Sequence, residues 1–228
     1  GKEEILSYEE MAKVVASLLP LGLAKVRITG GEPLLRRDVH VLLRLLRELD
    51  PDLDIAMTTN GVLLQRHAEM LLKSGLSRVT VSLDAVEEEL FQTITDSKNT
   101  PSQIFEGIDL AQQIGLTVKV NCVVKKGVNE SQIVPLAKAC MERDIPVRFI
   151  EFMDVGTTNN WNLDAVISGK EMRDILRNHL GPLEPRASEH PSDVARLWRF
   201  VNGSTVGFIE SVTKPLCGNC SRARLSAH

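Results

Sequence analysis

The chain has 228 residues, 43% of them hydrophobic, which suffices for one large α/β domain or for a domain with a smaller appendage. Its 27 Lys and Arg against 30 Asp and Glu leave a net charge of -3, which excludes a global field for nucleic acid or an anionic membrane and makes any anion site local. No apolar run approaches the roughly 18 residues of a membrane span, no charged and apolar leader is evident, and four cysteines in this composition read as reduced thiols of a cytoplasmic protein.

From Leu6 to Phe152 short β-branched runs alternate with helical stretches, the signature of parallel strands joined by right-handed crossovers. In chain order, Ser7 before a Glu-rich turn opens the first helix, and strands are predicted over 24–28, 54–58, 78–83, 117–124 and 146–150. Thr100-Pro101 opens a helix over 103–114 and Asn129 opens one over 130–143, while Gly75 and Gly115 stand where helices stop. Beyond Phe152 come a Gly/Thr/Asn loop, a helix near 170–180, a Pro-rich stretch over 182–191 and two short strand-like runs. The division expected is therefore an α/β domain over 1–152 and a C-terminal extension over 153–228.

Strands of a parallel sheet are usually apolar on both faces, so the positions that break this rule are informative. Here they share one parity: Lys25, Arg27 and Thr29; Thr58 and Asn60; Thr80, Ser82 and Asp84; Lys119 and Asn121; and Arg148. A side-chain period of two puts these residues on one polar, basic face and leaves the other for helix packing. An unpaired buried cation costs several kcal/mol, so Lys25, Arg27, Lys119 and Arg148 imply either an anionic ligand in a barrel-like cavity or carboxylate partners.

Three motifs fall at strand ends, where ligands bind in parallel α/β architectures. They are Thr29-Gly30-Gly31-Glu32-Pro33, Thr58-Thr59-Asn60-Gly61 and Ser82-Leu83-Asp84-Ala85, whose small polar groups suit a ribose or an amino acid head group. A fourth, Cys217-Gly218-Asn219-Cys220-Ser221-Arg222-Ala223-Arg224, pairs two thiols with two arginines. By itself the C-x-x-C pair reads as a zinc half-site, a redox dithiol or part of an iron-sulfur site. Cys122, in a predicted strand, and Cys140, in a predicted helix, read as small core residues.

Taken in order, KVRITGGEPLLRRD, TTNGVLL, VSLDA, VKVNCVVKKGVNE, RFIEFMDVG and CGNCSRARLS resemble the molybdenum cofactor biosynthesis protein A family, the radical S-adenosylmethionine (SAM) GTP 3',8-cyclases, over nearly the whole chain. The resemblance implies a partial TIM-type (β/α) radical SAM barrel lacking its first strand, followed by the C-terminal extension. It also implies a lyase with two [4Fe-4S] clusters. One cleaves SAM to a 5'-deoxyadenosyl radical that takes hydrogen from C3' of GTP, after which the carbon radical attacks guanine C8 to give 3',8-cyclo-7,8-dihydro-GTP. Carried over by position, Gly31, Ser82 and Met153, with Glu32 and Asn60 nearby, contact SAM. Arg27, Thr58, Lys119, Arg222, Ala223 and Arg224, with Lys25 and Arg148, hold GTP. Cys217 and Cys220 bind part of the second cluster.

The partners implied are a reductant protein, a downstream cyclic pyranopterin monophosphate synthase and a second copy of the chain, with no nucleic acid and no membrane. The Cys-x-x-x-Cys-x-x-Cys of the SAM cluster is expected before Gly1 and a third ligand of the second cluster after His228, so this segment alone is expected to be inactive. Two other readings of the residues are a phosphate-binding, aldolase-like barrel and a zinc-binding interaction module.

Overall fold

A computed structural model describes residues 5–153, 162–187, 194–214 and 222–226. It divides into two compact units that do not follow chain order, one formed by residues 1–81, 104–118 and 222–228 and the other by 82–103 and 119–221.

In the first unit, α1 (Tyr8–Leu18) opens with a reciprocal cap, in which Ser7 Oγ accepts from the Glu10 N–H and the Glu10 carboxylate accepts from the Ser7 N–H. Strands β1 (Lys25–Ile28), β2 (Asp54–Thr59) and β3 (Arg78–Ser82) pair in parallel in that order. The crossovers are α2 (Val39–Leu49) and α3 (Leu64–Lys73). Val39, Leu42, Leu43 and Leu46 recur at the spacing of one helical face and are all buried. With Ile55, Met57, Leu64, Leu71 and Val79, and with Ile104 and Ile108 of α5 (Pro101–Gln113), they form the unit's core.

The second unit holds α4 (Glu88–Thr95) and most of β4 (Thr117–Val124), which pairs in parallel with β5 (Val147–Glu151). Next to β5 lies β8 (Thr205–Ile209), also parallel, and then β7 (Arg196–Phe200) and β6 (Leu183–Arg186), both antiparallel. The extension thus supplies three strands where two are predicted, because β6 forms inside the Pro-rich stretch. Pro185 is tolerated there since β6 is an edge strand, where a missing N–H need not break a ladder. The helix α7 (Gly169–Leu180) begins at a second reciprocal cap between Ser168 and Glu171. Its Arg173 is buried against Glu210 at 3.2 Å and lies over the Trp198 and Phe208 rings.

The α/β class expected is the one observed, and most strand bounds agree within a residue. The helix expected over 130–143 differs: residues Glu130–Gln132 form a 3-10 turn and α6 runs only over Ile133–Met141. Asn129 is not its cap but a buried brace, as described below. Cys122 and Cys140 are free and buried, as core residues should be. Burial pushes the Cys140 thiol up to about 12 and the Cys122 thiol well above its ordinary value, so neither is a ready metal ligand. The loop expected after Phe152 falls on residues 154–161, outside those described. No helix among the described residues is long and apolar enough to cross a membrane.

Candidate nucleotide and cofactor site

The first unit carries the Gly-Gly-Glu-Pro turn after β1. Gly30 has φ +150, and a Cβ built on Gly30 or Gly31 would meet nothing within 4 Å, so the backbone here is open to close approach by a ligand. Glu32 Oε1 accepts from the Leu34 N–H at 2.9 Å and the Thr59 hydroxyl at 2.8 Å. Its Oε2 accepts from the Asn60 N–H at 2.7 Å. The carboxylate therefore ties the turn after β1 to the end of β2. Asn60 Oδ1 in turn accepts from the Val62 N–H, closing the next turn.

Gly61 completes that turn at φ +82, where a Cβ would stand 2.9 Å from both Val81 Cγ1 and Ile104 Cγ2. Conformation and space both demand glycine.

Arg27 Nη1 donates to Thr58 Oγ1 at 2.9 Å and to Thr80 Oγ1 at 3.2 Å. Three neighbouring strands thus aim one guanidinium, in keeping with the shared parity of their polar residues. Lys25 has the carboxylate partner that the sequence left open, since its ammonium lies 3.5 Å from Asp54, which also pairs with Arg78. Arg222, Ala223 and Arg224 are exposed and belong to this unit. Cys217 and Cys220 fall on residues 215–221, outside those described.

In the second unit, Lys119 and Arg148 line one cavity of about 140 Å³ together with Arg186, Leu197, Thr205 and Gly207. Asn121, paired in register with Arg148 and two positions after Lys119, is not among the residues lining this cavity, and its Oδ1 is buried without a hydrogen-bond partner among the described residues. A buried acceptor left unmade costs about 1–3 kcal/mol, which a ligand donor would recover. A larger hollow of about 390 Å³ lies on the helical side of the first unit, where Lys73 is already paired with Glu69, and none of the strand-end motifs reaches it.

Ser82 is exposed at the end of β3 and Met153 is 42% exposed just past β5. The segment that follows Ser82 is braced by Asp84, Asn129 and Gln132, a role not expected of them from the sequence. Asp84 Oδ1 accepts from the Val123 N–H at 2.8 Å, and burial raises the carboxyl against that bond. Asn129 donates to the carbonyls of Asp84 and Val123, both at 2.9 Å, and accepts from the Lys125 N–H. Gln132 Oε1 accepts from the N–H groups of Val86 and Glu87.

Two buried carboxylates were likewise missed. Glu151 is fully buried and accepts from the N–H groups of Gly169, Val212 and Thr213 and from the Thr213 hydroxyl. Glu210 faces Arg173, Arg196 and Lys214. Glu151 had a legible signal, for it continues the buried parity of Val147 and Phe149 rather than the polar parity of Arg148.

Open glycine backbone after one parallel strand and polar residues at the ends of the next strands are the arrangement at which parallel α/β folds bind ligands. Residues 1–140 match the family model of the radical SAM superfamily, and the chain belongs to that superfamily. Residues 145–228 match the model for Molybdenum Cofactor Synthesis C. More particularly, the chain is 44% identical over 229 aligned positions to curated proteins called GTP 3',8-cyclase from Staphylococcus aureus strains JH9 and Newman. The alignments cover 99% of this chain and 66% of each relative, so the chain spans just under two thirds of their length.

Among solved structures, Streptococcus suis SuiB superimposes with a TM-score of 0.63 at 19% identity, over 78% of this chain and 41% of that one. A radical SAM methyltransferase from Sphaerobacter thermophilus gives 0.61 at 19% identity, over 75% of this chain and 54% of that one. At such identities the likeness is one of fold.

Proposed function

We propose that this chain is the nucleotide-holding portion of a GTP 3',8-cyclase of molybdenum cofactor synthesis. The observation that carries the reading is the 44% identity to GTP 3',8-cyclases along 99% of the chain. The cavity shared by Lys119 and Arg148 and the hydroxyl-held Arg27 support it, because a triphosphate needs cations fixed in place and guanidinium forks match its oxygens.

In this reading Lys119 and Arg148 bind phosphate oxygens in the second unit, with Asn121 Oδ1 accepting from a ribose or base donor. Arg27, which donates to Thr58 and Thr80, is a further nucleotide contact, as are Thr58, Lys25, Arg222, Ala223 and Arg224. Gly31 offers open backbone to SAM, and Ser82 and Met153 contribute further contacts. Glu32 serves SAM through the turn it fixes, and Asn60 through the backbone that Glu32 holds.

Cys217 and Cys220 supply thiolates, the donor type of an iron-sulfur site, to a second cluster. The other cluster, the one that would cleave SAM, would supply the 5'-deoxyadenosyl radical when it and SAM are bound. The chain's own task is to fix the C3' carbon of GTP beside it and to keep water away, so that one hydrogen is taken. A reductant protein, a second copy of the chain and a synthase that consumes the product complete the scheme.

The test is product formation by the intact gene product, reconstituted anaerobically with iron and sulfide and given SAM, GTP and a reductant. Formation of 5'-deoxyadenosine and 3',8-cyclo-7,8-dihydro-GTP, with the latter lost in Arg148→Ala, is the outcome expected. Equal conversion of ATP, or neither product, would overturn the reading.

A further inference from the structure

The hollow of about 390 Å³ on the helical side of the first unit has no part in the nucleotide reading, since none of the residues assigned to GTP or SAM lines it. It runs along α3, whose Gln65, Arg66, Glu69, Met70 and Lys73 recur at the three- and four-residue spacing of one helical face. From Gln65 to Lys73 that face extends about 12 Å. Arg44 of α2 and Leu110 of α5 complete the described lining. Gly107 lets α5 come close, for a Cβ there would stand 3.1 Å from the Gln65 nitrogen and 3.4 Å from Leu64 Cβ. Leu110 follows three residues further along the same helix.

The lining is amphipathic. Met70 and Leu110 are half-buried, while the polar and charged residues around them are exposed. Lys73 is paired with Glu69 at 3.3 Å. Neither Arg44 nor Arg66 has a hydrogen bond or ion pair among the described residues. Two guanidiniums thus stand without partners beside an apolar strip, on a chain whose net charge is -3. Nor does Arg66 stabilise its own helix: it lies in the first turn of α3, where a cation opposes the helix dipole and no acidic residue offsets it. Arginine and methionine are enriched in the cores of protein interfaces, because a guanidinium sheds water more readily than an ammonium and a thioether adapts its shape.

We propose that this hollow is a docking surface for an acidic, amphipathic segment of a partner protein, whose carboxylates pair with Arg44 and Arg66 and whose apolar side chains cover Met70 and Leu110. Charge complementarity sets the sign of the partner, and the apolar strip demands a segment with one apolar face. A hollow with an exposed rim suits a macromolecule, since a small-molecule pocket encloses most of its ligand. The face is about two helical turns long, so a short helix laid along α3 spans it.

Fluorescence anisotropy on the intact gene product tests this with a labelled helical peptide of two heptads, Leu on one face and Glu on the other. Two comparison peptides replace every Glu by Lys or every Leu by Ser. The protein variants are Arg44→Gln with Arg66→Gln, the reversal Arg44→Glu with Arg66→Glu, and Lys98→Gln with Lys170→Gln as a control for net charge at exposed sites outside the hollow. Thermal denaturation first shows each to be folded. The Glu-Leu peptide should bind the parent and the lysine control alike, and the paired Arg→Gln variant about tenfold more weakly. The reversal should transfer binding to the Lys-Leu peptide. Equal binding by the parent and the paired Arg→Gln variant, an equal loss in the lysine control, or displacement of the peptide by GTP would overturn the proposal. Equal affinity for the Glu-Ser peptide would also overturn it, by making the hollow a site for bare anions. Sedimentation velocity gives the remaining outcome: a dimer of the parent that the reversal dissolves would make the occupant a second copy of this chain and overturn its assignment to a separate partner.

Discussion

Glu151 receives both the backbone N–H of Thr213, at 2.8 Å, and the hydroxyl of the same residue, at 2.6 Å. The Val212 N–H adds a bond at 2.9 Å, so the last residue of β5 fixes the chain just after β8. A carboxylate can be buried when its lone pairs are filled in this way.

The isosteric change Glu151→Gln puts an amide NH2 against N–H donors and is expected to cost about 3 kcal/mol of stability. Urea denaturation measures this, and a midpoint unchanged from the parent would contradict it.

Gly61→Ala meets a positive φ and two methyl groups at 2.9 Å. A loss of about 2 kcal/mol or more is expected in the same assay. A neutral effect would show that the turn after β2 is not constrained in this way.

Asp84 gives a pH-dependent outcome. Burial raises its folded-state pKa above 3.8, the bond from the Val123 N–H offsetting only part of that rise. The folded protein then holds this proton more tightly than the unfolded one, so stability falls as pH rises from 3.8 through the folded value and remains lower above it. Asp84→Asn removes the charge and keeps an oxygen for Val123. Its stability relative to the parent should be greater at about pH 7.5 than at about pH 4.5 by denaturant titration. A constant or reversed difference would refute the assignment.

Asn121→Leu separates folding from binding. Removing a buried acceptor without a partner should leave the unliganded protein as stable or more stable, by up to about 1 kcal/mol. GTP binding should weaken about tenfold. Lower stability with unchanged GTP affinity would make Asn121 structural only.

Much of this was legible in the chain. Strand positions followed from β-branched runs, and the polar parity of Arg27, Thr58 and Thr80 became hydrogen bonds between three neighbouring strands. What escaped had specific causes. Proline density concealed β6, because propensity penalises Pro185 without knowing that its strand lies at an edge. Asn129 looked like a helix cap because capping and bracing draw on the same side-chain chemistry, and only the fold brings Asp84 within its reach. The hydrogen bonds from Thr59 and Asn60 to Glu32 escaped because both residues are distant from it in sequence. Arg186 carried no motif at all, and its place in the cavity comes from a register that spans four other strands.

The central claim is that this chain holds GTP through its phosphates, and anaerobic calorimetry with GTP, GDP and guanosine at low and high salt tests it most directly. GTP should bind with a micromolar-to-millimolar Kd, GDP more weakly and guanosine weakest, with the GTP affinity falling as salt rises. Equal affinity for GTP and guanosine, or no heat with GTP at either salt concentration, would contradict it.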